Sequence, residues 1–150
     1  MTTMTTALML GHAVSTWFLT GLIWTIQVVH YPLFAMADRG TYADFAAAHN
    51  LRITPLVGPP MLLEALLAVW LVVDPPAGIP RWWAWTGLAL VGVVWASTVL
   101  LQVPQHGRLA AGFDAQAHAW LVASNWVRTI GWTLRAAIAT AMLARLLQTR

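Results

Sequence analysis

The stretch AWLVASNWVRTIGWTLRAAIATAML, residues 119–143, decides the architecture. It is long enough to cross a bilayer core, which takes about 20 apolar residues as helix, yet it carries Asn125, Arg128 and Arg135. With His118 and Trp132 these recur at steps of seven, three, four and three residues, which keeps them on one helix face. Charged side chains in hydrocarbon are expensive, so that face is expected to point into a bundle and away from lipid.

Working outward, three further apolar segments of similar length lie at Leu8–Val29, Pro55–Val73 and Trp82–Val103. The expected fold is an all-α integral membrane protein: one domain, residues 1–150, forming a four-transmembrane-helix bundle. Thr41–Asn50 (TYADFAAAHN) reads as a short amphipathic interfacial helix between spans 1 and 2. Tyr31-Pro32 is expected to end the first helix and Pro104 the third, because the residue before proline is pushed out of helical geometry. Pro55, Pro59 and Pro60 around Gly58 predict an irregular entry to the second span. Span 1 carries its own polar stripe of His12, Thr16, Thr20, Gln27 and His30 or Tyr31, and span 3 carries Thr98, Gln102 and Gln105 or His106. Trp70, Trp82, Trp83 and Trp85 read as an interfacial aromatic belt.

Composition narrows the chemistry. The chain is 59% hydrophobic and 9% charged, against roughly 25% charged in soluble domains. Cysteine is absent, which removes thiol catalysis, disulfides and iron–sulfur ligation. All eight basic residues are arginine, so a lysine Schiff base is excluded. Those arginines are scattered singly, which argues against nucleic-acid binding. The start MTTMTT lacks the basic region of a cleaved signal peptide, so the first span is expected to be retained. Arg81, Arg145 and Arg150 on the side of the termini balance Arg39, Arg52 and Arg108 on the other. The close flanking of the last span by Arg145 and Arg150 favours cytoplasmic termini in a bacterial inner membrane.

Four of the five histidines, His30, His49, His106 and His118, fall at one membrane face of the expected bundle. Neutral imidazole is the commonest ligand for copper, iron and zinc, so these four are candidate ligands of a transition metal, with Glu64 a further donor. Haem b is the other cofactor option, with His12 and His30 as candidate axial ligands on one face of span 1. No Cys-x-x-Cys-His run is present, so such a haem would be noncovalent. Counted from their span ends, Glu64 lies about 15 Å deep and Arg128 about 12 Å, so a Glu64–Arg128 pair is expected near the midplane. Gln27, Gln102 and Asn125 fall in the same layer and predict a polar cavity open to lipid.

The stretch from Ser97 to Arg135, about a quarter of the chain, resembles the anthrone oxygenase-like four-helix membrane proteins through TVLLQVPQHGRL, residues 98–109, and NWVRT, residues 125–129. That resemblance implies that Gln102, His106, Asn125 and Arg128 line a site that oxygenates or oxidises a lipophilic polycyclic phenol. The chain departs from the pattern in having His106 where asparagine is expected and in its His30-Tyr31-Pro32. The first half, with His12, Trp17-Phe18 and Gly21-Leu22, is also loosely similar to the four-helix haem-associated protoporphyrinogen oxidases, but lacks their lysine. The expected function is that of a membrane oxidoreductase on a lipophilic aromatic or quinone-like molecule, aided by a histidine-bound metal. Glu64 would move a proton, and Arg128, Asn125 and Gln102 would stabilise oxyanion charge. A non-catalytic haem- or metal-binding subunit, a small transporter or channel assembling as a homodimer, and a purely structural membrane protein are the alternatives.

Overall fold

Thr2 opens the first helix: its hydroxyl oxygen accepts the Thr5 N–H at 3.2 Å, satisfying one of the donors that a helix start leaves free. The computed structural model describes residues 2–148, so Arg150, counted in the orientation reading, lies outside them. The helices are α1 (Thr3–Phe34), α2 (Tyr42–Val73), α3 (Arg81–Ala110) and α4 (Ala115–Gln148), each long and apolar enough to cross a membrane. Each packs on two neighbours in the cyclic order α1–α2–α3–α4. Leu10, Val14, Leu66, Val93 and Leu134 stand on the outside of the ring, where lipid tails would cover them.

Between α3 and α4 the chain turns through Gly112, whose φ of 137° suits glycine alone. Asp114 then caps α4, accepting the N–H groups of Gln116 at 2.9 Å and Ala117 at 3.0 Å. The Ala117 N–H, and after it the Arg108 guanidinium that pairs with this carboxylate, hold the Asp114 carboxyl below its usual range.

Three expectations about helix ends are corrected. Residues 41–50 form no separate interfacial helix: Tyr42–Val73 is one continuous helix through Pro55, Pro59 and Pro60. Tyr31-Pro32 does not end α1, nor Pro104 α3. Each helix instead widens into a π-helical turn just before its proline, at Ile26–His30 and Thr98–Gln102. There the Tyr31 N–H reaches back five residues to the Ile26 carbonyl, and the Val103 N–H to that of Thr98. The wider ring shifts the ladder by one residue, so a proline lacking an N–H is seated where the ladder is already interrupted.

One charge cluster touches all four helices. Glu64 of α2 accepts at Oε1 from Arg135 Nε and from Thr16 Oγ1, each at 3.0 Å, and at Oε2 from Trp132 Nε1 at 3.0 Å. Arg135 also donates to the Gly87 carbonyl at 2.7 Å and to His12 Nε2 at 2.9 Å. A Cβ on Gly87 would stand 2.9 Å from Arg135 Nη1, so a bare glycine keeps that approach open. Both charged side chains are 2% exposed. The expected Glu64–Arg128 pair is therefore replaced by Glu64–Arg135, one heptad further along α4.

Two outcomes follow. Glu64→Gln or Arg135→Met alone should cost roughly 3–5 kcal/mol, since each strands a buried charge, while the double variant costs less than their sum. Reversible unfolding in mixed micelles measures both, and strictly additive losses would show the residues uncoupled. Asp114, whose folded carboxyl titrates below its unfolded one, stabilises the start of α4 above the ordinary aspartate range and loses this as pH falls through its lowered folded value. The protection of the Gln116 and Ala117 amides, taken against their intrinsic exchange at each pH, should fall on acidification, and in Asp114→Ala it should be low throughout.

Candidate functional site

The two widened turns lie toward the same end of the bundle, and beyond them hang the side chains of Tyr31 and His106. The Tyr31 hydroxyl meets His106 Nε2 at 3.0 Å, linking α1 to α3. His30 Nε2 meets His49 Nδ1 at 2.9 Å, linking α1 to α2. The rings of His49 and His106 stack with centroids 5.4 Å apart. His118 stands apart from this group, bonding through Nε2 to the Tyr31 backbone carbonyl at 2.8 Å and so fixing where α4 meets the end of α1.

Beside these rings a cavity of about 550 Å³ opens between α2 and α3. Ile53, Val57, Met61 and Val99 supply apolar walls, and His49, His106, Tyr31, Gln102 and Arg128 supply the polar groups. Thr54, Val99 and Val103 belong both to the lining and to the exposed outer surface, so the mouth faces sideways, where lipid would lie. A second hollow of about 450 Å³ lies at the bundle end, walled by His30, Phe34, Asp38, Thr41 and Phe45. His30 lines this outer hollow and His49 the inner cavity, so their hydrogen bond is a wall common to both.

Arg128 forms the floor of the cavity. It is 5% exposed, its Nε has no hydrogen-bond partner, and no carboxylate pairs with it among the described residues. Its guanidinium sits beside the Tyr31 hydroxyl and 5.3 Å over the Trp132 ring. Trp95, another wall residue, likewise holds a buried Nε1–H without a partner.

Of the residues singled out from sequence, Gln102, His49, His106 and Arg128 come together here. Gln102 is held by Ser97, which donates to its Oε1 at 3.1 Å, while its Nε2 donates to Ser124 at 3.0 Å. Asn125 lies outside the cavity, donating to Gln27 Oε1 at 2.8 Å, and Gln27 in turn donates to the Val122 carbonyl at 3.2 Å. Glu64 is likewise outside, held in the α2–α4 charge cluster, so it is not placed to move a proton in this cavity.

The expected four-histidine metal site is not formed. His118 is turned to a carbonyl, His106 to a tyrosine, and no group of three or more histidine or carboxylate donors is arranged to hold a metal among the described residues. As a haem ligand His12 is equally committed, being 1% exposed with Nε2 accepting from Arg135. Tyr31 and Trp95 escaped notice as site residues. Their signal lay in the stripes: Tyr31 follows Gln27 by four residues, and Trp95 precedes Thr98 and Gln102 by three and seven.

No family model matches this chain, and no curated protein or solved structure matches it either.

An arginine without a carboxylate contributes little to folding and is costly to bury. Arg128→Met should therefore leave the thermal unfolding midpoint of the ligand-free protein unchanged or raised, in contrast to the loss expected for Arg135→Met. A drop comparable to that of Arg135→Met would show a structural partner for Arg128.

Proposed function

We propose that this protein is a membrane-embedded oxidoreductase of the oxidase or oxygenase class, acting on a lipophilic phenol or quinol that enters the cavity sideways from the bilayer. The observation that carries the reading is the buried Arg128 side chain, which lines this cavity and has no carboxylate partner among the described residues. An unsatisfied buried donor costs about 1–3 kcal/mol, more when charged. An anionic oxygen on a cavity occupant would give the Arg128 charge the partner that the fold withholds. Apolar walls with a few converging polar groups suit a ring system carrying one or two oxygens.

In this reading His49 or His106 accepts the proton of the bound hydroxyl, and Arg128 stabilises the resulting phenolate in a site shielded from water. Tyr31 holds His106 by its Nε2 and so fixes the ring against the cavity. Dioxygen, soluble in hydrocarbon, is the oxidant: a quinol gives up two electrons and two protons, leaving quinone and hydrogen peroxide. His30 and His49 offer only two converging nitrogens, short of the three protein ligands usual for a catalytic metal, so no step passes through one. The resemblance of residues 98–109 and 125–129 to the anthrone oxygenase-like proteins supports the same class. With Arg145 near the end of α4 on the cytoplasmic side, the cavity lies toward the outer half of a bacterial inner membrane.

Nanodisc-embedded protein given 1,4-naphthohydroquinone should take up oxygen above the rate with empty nanodiscs. Arg128→Met should lower the excess by about 10²–10³-fold, as for loss of one oxyanion-stabilising donor. Uptake equal to that of empty nanodiscs, or unaffected by the substitution, would rule the reading out.

A further inference from the structure

We infer that His49 and His30 form a proton relay that joins the lipid-facing cavity to the outer hollow at the bundle end. Such a relay serves any acid–base change in the cavity. It goes beyond the proposed oxidation and does not depend on it.

The geometry is that of a two-ring conductor. His49 Nδ1 and His30 Nε2 share one hydrogen bond of 2.9 Å, and the opposite nitrogens, His49 Nε2 and His30 Nδ1, carry no protein hydrogen bond among the described residues. His49 lines the inner cavity and His30 the outer hollow. The free nitrogen of one ring thus serves the inner side, and that of the other the outer side. A proton taken up at His49 Nε2 drives the Nδ1 proton across to His30 Nε2, and the His30 Nδ1 proton departs into the hollow. One proton enters and one leaves, with no net change in charge on either ring. The exchanged tautomers return when the rings turn over or re-equilibrate with water.

The surroundings enforce one route. On the inner side the charged and titratable neighbours are His106, Tyr31 and Arg128, and a cationic floor discourages a proton from staying. Tyr31 and His106 already bond to each other, and the stacked His106 ring makes no hydrogen bond to His49. On the outer side stand Asp38 and Thr41. The Asp38 carboxylate accepts from both the Thr41 N–H at 3.0 Å and its hydroxyl at 3.1 Å, which keeps an acidic acceptor at the rim. Phe34 packs edge-on to both relay rings, with centroids at 5.0 Å in each case, and holds them in their shared geometry.

The test uses the whole protein with ¹⁵N-labelled histidine in nanodiscs and no cavity ligand. Nitrogen NMR should show coupling across the His49–His30 hydrogen bond, and exchange spectroscopy should show the His49 ring proton exchanging with water. His30→Gln keeps an acceptor for His49 but cannot pass a proton on. Because a positioned proton carrier is worth about 10²–10⁴-fold, exchange at His49 should fall at least ~10-fold in this variant and recover when imidazole is added. Absence of the coupling in the wild type, or unchanged exchange in His30→Gln, would overturn the relay. Since no substrate is involved, either result leaves the oxidation of phenols to be judged separately by oxygen uptake.

Discussion

The bundle depends on an ion pair that spans a diagonal. In a ring of four helices each neighbour pair packs directly, but α2 and α4 face each other only across the centre, and it is there that Glu64 meets Arg135. Lipid tails are as apolar as the outer side chains, so no hydrophobic force drives such helices together, and packing and polar contacts must set their arrangement. The Glu64–Arg135 pair supplies both kinds of contact. Thr16 and His12 bring α1 to it, Gly87 brings α3, and Trp132 fills the remaining space. Every carboxylate oxygen is engaged, the condition under which a buried pair is tolerated.

With Arg135 anchored, the rotation of α4 is fixed, and Arg128, two turns away on the same face, is aimed at the cavity about 10.5 Å nearer the histidines. The two arginines share a helix face and differ in everything else. One is saturated and serves the fold. The other has a tryptophan ring and a tyrosine hydroxyl for company and retains donor capacity. The second diagonal, α1 to α3, is bridged by the neutral Tyr31–His106 bond with open space beside it. The molecule is therefore tight at the charged end and hollow at the other, a division expected where function competes with stability.

Hydropathy and stripe spacing made the four spans legible, along with the inward face of α4, whereas the grouping of Gln102, His106 and Arg128 came only from the resemblance of residues 97–135. The partner of Glu64 was misread for a geometric reason. Depths counted from the ends of the apolar segments put Glu64 level with Arg128. Counted from the true helix starts at Tyr42 and Ala115, Glu64 lies about 33 Å along its helix and Arg135 about 30 Å, with Arg128 at only about 20 Å. The polar opening turns of α2, taken for a separate interfacial piece, account for the difference. The prolines misled in the same way: Pro32 and Pro104 carry helix-ending propensity, but propensity is local, and the burial of Phe34 and Leu109 beyond them rewards continuing. Direction of a histidine ring is not encoded in spacing at all, so four imidazoles at one edge gave no sign that His118 would turn to a carbonyl.

The widened turns of α1 and α3 also say something about how such a chain can change over generations. Each amounts to one residue more than a regular helix would need between the core and the bundle end. Removing that residue would restore an ordinary ladder and leave the segment beyond it close to its present register, because the widened turn has absorbed the extra residue. What would change is the turn itself, the inner edge of the cavity where Gln102 stands, with the anchored half of the bundle undisturbed. Gain or loss of a single codon at either turn is thus a route by which this scaffold can reshape the inner edge of its polar cavity without rebuilding its core.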